Sequence, residues 1–126
     1  MEGGQSMASK ILVVDDQEGI RTLLYEVLSN AGYQVHTATT GREALDAFNQ
    51  REFQLLIIDY KLPGLDGLGV LDMLEQQGRK VPVIIISGLT EEITTEKRTY
   101  SYIQHILSKP FDVHHMLSLA QAILSK

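Results

Sequence analysis

A parallel β-sheet with helices on both faces is the fold class the sequence predicts, and three observations predict it. Strand-like and helix-like segments alternate five times along the 126 residues, with no repeat or long linker between them. The runs 11–14, 55–58 and 83–86 are apolar without interruption, which suits strands buried on both faces rather than one. Each run then stops at polar residues: Asp15 and Asp16 after the first, Asp59 after the second, Ser87 after the third. In such sheets the crossovers are right-handed and ligands bind at the carboxyl ends of the strands.

The elements follow in order. Residues 1–9 are small and polar without periodicity and are expected to be a disordered leader, leaving 10–126 as one folded domain. After the first strand, Ile20, Leu23, Leu24, Val27 and Leu28 recur at helical spacing and predict an amphipathic helix. Asn30, Ala31 and Gly32 end it. Residues 34–38 form a short second strand, and Thr40-Gly41 opens a helix that buries Ala44, Ala47 and Phe48. The third strand leads through turn-forming residues 61–67 into a helix carrying Val70, Leu71 and Leu74. Residues 91–100 hold Thr94, Thr95, Thr99 and the like-charged pair Glu92/Glu96, which predicts a short or mobile helix. A weaker strand at 103–107 precedes Ser108-Lys109-Pro110, and Val113, Met116, Leu117, Ala120 and Leu124 mark a closing helix.

Composition excludes several function classes. With 11 basic and 16 acidic residues the net charge is −5, which argues against nonspecific nucleic-acid binding. No apolar run approaches the ~20 residues of a membrane span, and no secretory signal opens the chain. Without cysteine there is no disulfide scaffold, thiolate nucleophile or zinc knuckle, in keeping with a cytoplasmic location. The four histidines show no ligand spacing; His114 and His115 diverge by about 100° on a helix, so surface or strand-end positions are expected.

Convergence carries the chemistry. Asp15, Asp16, Asp59, Ser87 and Lys109 come from four strand ends that a parallel sheet brings to one edge. Three carboxylates in one place repel each other unless a cation joins them, and Mg²⁺ takes a few carboxylates plus waters. Asp16 and Asp59 are the expected direct ligands, Asp15 the weaker or water-mediated one, and the backbone carbonyl of Lys61 a further donor. Lys109 and Ser87 facing the same metal would suit a tetrahedral anion, and a carboxylate so placed can attack phosphorus to form an aspartyl phosphate. Each residue alone has a plainer reading. The acid pair could cap a helix, Asp59 could sit in a turn, Ser87-Gly88 could cap, and Lys109 could be solvated.

The stretches Val13-Val14-Asp15-Asp16, 56–67, Ile84-Ile85-Ile86-Ser87-Gly88 and Leu107-Ser108-Lys109-Pro110-Phe111 resemble the receiver domain of bacterial two-component response regulators, over nearly the whole folded chain. The resemblance implies a flavodoxin-like (βα)5 three-layer α/β sandwich whose five-stranded parallel sheet runs in the order 2-1-3-4-5. It implies Asp59 as phosphoacceptor assisted by Lys109 and Ser87, Mg²⁺ (with Mn²⁺ as a substitute) at Asp15, Asp16 and Asp59, and a cis bond between Lys109 and Pro110. The donor would be a phosphohistidine on a sensor histidine kinase. Residues 16–24, with 61–64 and 109–112, are further similar to single-domain intermediates of sporulation phosphorelays, which pass the phosphate to a histidine phosphotransferase. That likeness implies a docking surface of Gln17, Gly19, Ile20, Leu23, Pro110 and Phe111, with a phosphatase as a further possible partner and a monomeric state. Plain core packing is the competing reading for Ile20 and Leu23.

Two departures bear on switching. Ser87 stands where the family carries the switch threonine, and Ile106 where it carries the switch aromatic. Tyr102-Ile103 replaces the small pair that usually precedes the last strand. The expected function is therefore a stand-alone phosphoacceptor relaying phosphate between histidine proteins, with output in another protein. The alternatives are a CheY-like effector whose phosphorylation gates a protein contact, a small Mg²⁺-dependent phosphatase, and a flavin carrier disfavoured by the acidic first turn.

Overall fold

The computed structural model describes residues 8–88 and 102–125. Its strands are β1 (Lys10–Val14), β2 (Gln34–Ala38), β3 (Leu55–Asp59), β4 (Val83–Ser87) and β5 (Ile103–Ser108). They form one sheet in the order β2-β1-β3-β4-β5 with every pairing parallel. Between and after them lie helices α1 (Glu18–Asn30), α2 (Gly41–Gln50), α3 (Gly67–Gln76) and α4 (Val113–Leu124). The segments 1–7 of the expected leader and 91–100 of the expected short helix lie outside the described residues. Ser9, the last residue of that leader, is tied to the sheet: its carbonyl accepts the Gln34 N–H at 3.0 Å.

Alternation along the central strands splits the core into two layers. Leu12, Val14, Leu56, Ile58, Val83 and Ile85 face α2 and α3, where they meet Phe48, Leu71 and Leu74. Ile11, Val13, Leu55, Ile57, Ile84 and Ile86 face α1 and α4, where they meet Leu24, Leu28, Met116 and Ala120. Strands β3 and β4 are buried along their whole length, the reason their sequences are apolar at both parities.

Helix α1 decides between the two readings of Leu23. Leu24 and Leu28 are buried and Ile20 packs beside them, but Leu23 is 42% exposed. A residue adjacent in sequence lies about 100° away around a helix, so Leu24 at the centre of the buried stripe turns Leu23 toward its margin. Core packing, the competing reading for Leu23, therefore does not hold. A second feature was invisible in the sequence: β5 has a register shift against β4, with Val83 opposite Ile103 but Ile84 opposite His105, so Gln104 is an extra residue in the edge strand. No described helix is long and apolar enough to cross a membrane.

Candidate functional site

The carboxyl ends of β1, β3, β4 and β5 meet at one edge of the sheet. Asp15 is held there by its N–H, which donates to the Ala38 carbonyl at 3.1 Å. Its Oδ1 accepts the N–H of Gln17 at 2.9 Å. This bond fixes the turn into α1, while Gln17 itself is the N-cap and makes no side-chain cap. The plainer reading of Asp15 and Asp16 as caps of α1 therefore does not hold. Asp59 closes β3, and the next residue's N–H donates to the Ile86 carbonyl at 2.9 Å, locking β3 to β4 at the site. Ser87 follows on β4, buried, and its carbonyl accepts the Lys109 N–H at 3.0 Å. The Lys109–Pro110 peptide is cis.

These constraints bury charge. Asp15 is fully buried and Asp59 is 4% exposed, whereas Asp16 lies in solvent. Each of the three offers a carboxylate oxygen, and these atoms lie within 4.8 Å of one another. Lys109 is the partner of the buried pair: Nζ donates to Asp59 Oδ2 at 2.8 Å and to Gln17 Oε1 at 3.1 Å, and stands 3.4 Å from Asp15 Oδ2. At that last distance the ion pair is not a hydrogen bond, so Asp15 Oδ2 remains a buried oxygen without a donor. Burial raises the Asp15 carboxyl above its ordinary range, the neighbouring Asp59 adds to this, and the Gln17 N–H and Lys109 offset only part. Burial alone would lower the Lys109 ammonium, but Asp59 and Asp15 outweigh it and hold the group above its ordinary value. A cluster of hard oxygens with one orphaned lone pair fits Mg²⁺, which would be held by Asp15, Asp16 and Asp59.

The loop after Asp59 is shaped by close approach. Lys61 donates its N–H to Asp59 Oδ1 at 3.3 Å while its side chain is exposed. Gly67, the first residue of α3, donates to the Tyr60 carbonyl at 2.9 Å, and a Cβ there would stand 2.7 Å from the Asp59 carbonyl oxygen. Only glycine lets the turn fold so tightly behind the acid.

Beside the carboxylates runs a groove of about 450 Å³ lined by Gln17, Ile20, Leu23, Lys109, Pro110 and Phe111. Five of the six expected docking residues thus line one depression, and Gly19 is exposed next to it. The exposure that removed Leu23 from the core places it here. Ile106 is half-buried against the α2–α3 layer, opposite Ile85. His36 packs edge-on against Phe53 with ring centres 5.6 Å apart, and His114 and His115 are exposed on α4. One contributor was missed in the sequence: Arg21, whose Nη1 donates to the Asp15 carbonyl at 2.9 Å and so clamps the acid-bearing turn. Its place one helical turn beyond Gln17 was the available signal.

The chain matches the model of the response regulator receiver domain over residues 11–121. It is 38% identical to sporulation initiation phosphotransferase F of Bacillus subtilis over 108 residues, covering 85% of this chain and 86% of that protein. It is 36% identical to the alkaline phosphatase synthesis transcriptional regulatory protein PhoP of the same organism over 95% of its own length, but spans only 50% of that regulator. Among solved structures, the chemotaxis response regulator CheY4 of Vibrio cholerae superposes with a TM-score of 0.84 at 30% identity, covering 93% of this chain and 99% of that one. With the acid cluster, its lysine and a five-stranded 2-1-3-4-5 sheet in place, the chain belongs to the response regulator receiver domain family, the phosphoryl-accepting signalling domains of two-component systems.

Proposed function

We propose that this receiver is a phosphorelay intermediate: it takes a phosphoryl group from a phosphohistidine of a sensor kinase onto Asp59 and passes it to a histidine of a phosphotransferase. The observation that carries the reading is that Lys109 belongs to both parts of the site. It bonds Asp59 Oδ2 and also lines the apolar groove. A partner helix lying along α1 in that groove would bring a histidine to the acceptor edge. The similarity to the sporulation phosphotransferase over most of both chains supports the same reading.

The chemistry is positioning and electrostatics. A carboxylate oxygen of Asp59 attacks phosphorus, the P–N bond breaks with its electron pair going to the imidazole nitrogen, and an acyl phosphate forms. In the onward step an imidazole nitrogen attacks, the P–O bond breaks, and the Asp59 carboxylate is restored. Lys109 turns from the carboxylate to the oxygens of the transferring group, and Ser87, one residue beyond the register partner of Asp59, supplies a hydroxyl. Mg²⁺ bound at Asp15, Asp16, Asp59 and the Lys61 carbonyl would supply further charge stabilisation of the phosphoryl oxygens. Burial of Asp59 limits attack to donors that reach this one edge.

The test is phosphotransfer from phosphorylated histidine kinases to wild type and Asp59→Ala, followed by transfer to a phosphotransferase. Wild type should label and discharge, and Asp59→Ala should do neither. Label on Asp59→Ala equal to wild type would remove Asp59 from its role. A labelled wild type that never discharges to any histidine protein would remove the relay.

A further inference from the structure

Gln17 occupies a position where its side chain could serve α1 but serves the acceptor site instead. As N-cap its backbone is extended (φ −91°, ψ 120°), where a short Ser, Thr or Asp would accept an N–H from the first turn. The longer Gln17 side chain makes no such bond. It reaches across to β5, and its Oε1 accepts from Lys109 Nζ at 3.1 Å. An ammonium offers three donors on a flexible four-carbon stem, so its position depends on the acceptors around it. Here those are Asp59 Oδ2 at 2.8 Å and Gln17 Oε1 at 3.1 Å, with Asp15 Oδ2 an ion-pair neighbour 3.4 Å away.

Of the three, Gln17 alone is neutral. It restrains Lys109 without adding negative charge to a pocket that already holds three acids and must receive a phosphoryl group. It alone also lines the groove. Its backbone is held from both sides, by Asp15 Oδ1 on its N–H at 2.9 Å and by the Arg21 N–H on its carbonyl at 3.2 Å. The side chain therefore springs from an anchored point. Resting on the acceptor reading given above, we propose that Gln17 is a positioning residue for Lys109, holding the ammonium over Asp59 from the groove side. A partner seated in the groove would then touch the residue that sets the ammonium's place, which couples docking to the chemistry.

The test separates positioning from mere docking with a donor that needs no groove. In Gln17→Leu, which keeps bulk but loses the acceptor, the rate of Asp59 phosphorylation by acetyl phosphate should fall by about threefold to tenfold, the range for losing one charge-assisted hydrogen bond at a partly exposed site. Thermal unfolding and Mg²⁺ affinity by calorimetry should not change. NMR of the Lys109 ammonium in the unphosphorylated protein supplies a readout independent of the acceptor assignment. Its protons should exchange with water faster in Gln17→Leu than in wild type, while Gln17→Glu, which retains an acceptor, keeps exchange slow. If Gln17→Leu slows only transfer from a phosphohistidine protein, with the acetyl phosphate rate and the Lys109 exchange unchanged, Gln17 is a docking contact and the proposal fails. If Asp59→Ala is labelled by acetyl phosphate as well as wild type, the acceptor assignment fails instead, and the Lys109 exchange still judges Gln17.

Discussion

The two ends of the sheet each carry a depression, and they differ in what lies beneath. At the amino end a hollow of about 260 Å³ is lined by Phe48, Glu52, Phe53, Gly78, Arg79, Lys80 and Val81. Its floor is closed hydrocarbon: Phe48 and Phe53 meet edge to face with ring centres 5.0 Å apart. Its charged residues stand at the rim, where solvent screens them. At the carboxyl end the groove borders carboxylates that are themselves buried, and one of their oxygens lacks a donor. Concavity alone therefore does not mark the site. A buried charge held at a cost to the fold does, because only function or a bound cation explains its retention.

Five substitutions break or sharpen this contrast, from the largest expected effect to the smallest. Phe53→Ala at the amino end should cost about 3–5 kcal/mol of stability by denaturant unfolding, the usual loss for a buried ring, while the folded fraction still accepts phosphate at the wild-type rate. Loss of phosphorylation beyond the unfolded fraction would tie that end to the chemistry. On α1, Leu24→Ala should cost about 2–5 kcal/mol. Its neighbour Leu23→Ala should cost less than about 1 kcal/mol yet raise the KM for transfer from a protein donor several-fold. Equal destabilisation by the two would return Leu23 to the core.

At the carboxyl end the sign reverses. Burial holds the folded Asp15 above its ordinary value of 3.8, so the stability this group contributes is present below that value and lost as pH rises through the folded one. At neutral pH and without divalent cations, Asp15→Asn should raise the melting temperature by a few degrees, a gain that shrinks toward acid pH. Added Mg²⁺ should stabilise wild type more than the variant. A variant less stable than wild type in metal-free buffer would contradict the claim that this carboxylate burdens the fold. The smallest effect concerns Tyr102, whose hydroxyl donates to the Leu71 carbonyl at 3.3 Å and is pushed up to about 12 by burial, then by Glu75 and Asp72. The folded state keeps that proton longer than the unfolded chain, so wild type should lose stability between pH 10 and about 12. Tyr102→Phe should flatten that limb and leave neutral pH nearly unchanged; an identical alkaline limb in the variant would assign it elsewhere.

Much of this contrast was legible in the sequence because the central strands announce themselves. Four-residue apolar runs that stop at an acid give both the buried parallel sheet and the edge at which Asp15 and Asp59 converge. What escaped depends on angles and on partners distant in the chain. Leu23 satisfied the helical spacing yet lies at the margin of the buried stripe, since spacing records periodicity but not where the stripe is centred. The extra Gln104 in β5 reflects edge pairing, which no local pattern encodes. The bonds from Lys109 to Gln17 and from Arg21 to the Asp15 carbonyl join residues whose separate positions say nothing of their meeting. Composition also could not divide the acids, and the structure separates a buried pair, Asp15 and Asp59, from the solvated Asp16.

The central claim is that the phosphoryl group resides on one buried carboxylate. Borohydride reduction of the phosphorylated protein, followed by peptide mass spectrometry, tests it most directly, because reduction converts an aspartyl phosphate to homoserine. The account predicts homoserine at position 59 and unaltered aspartate at positions 15 and 16. Homoserine at position 15 or 16, or a phosphoryl group that resists reduction because it sits on a histidine or serine, would contradict it.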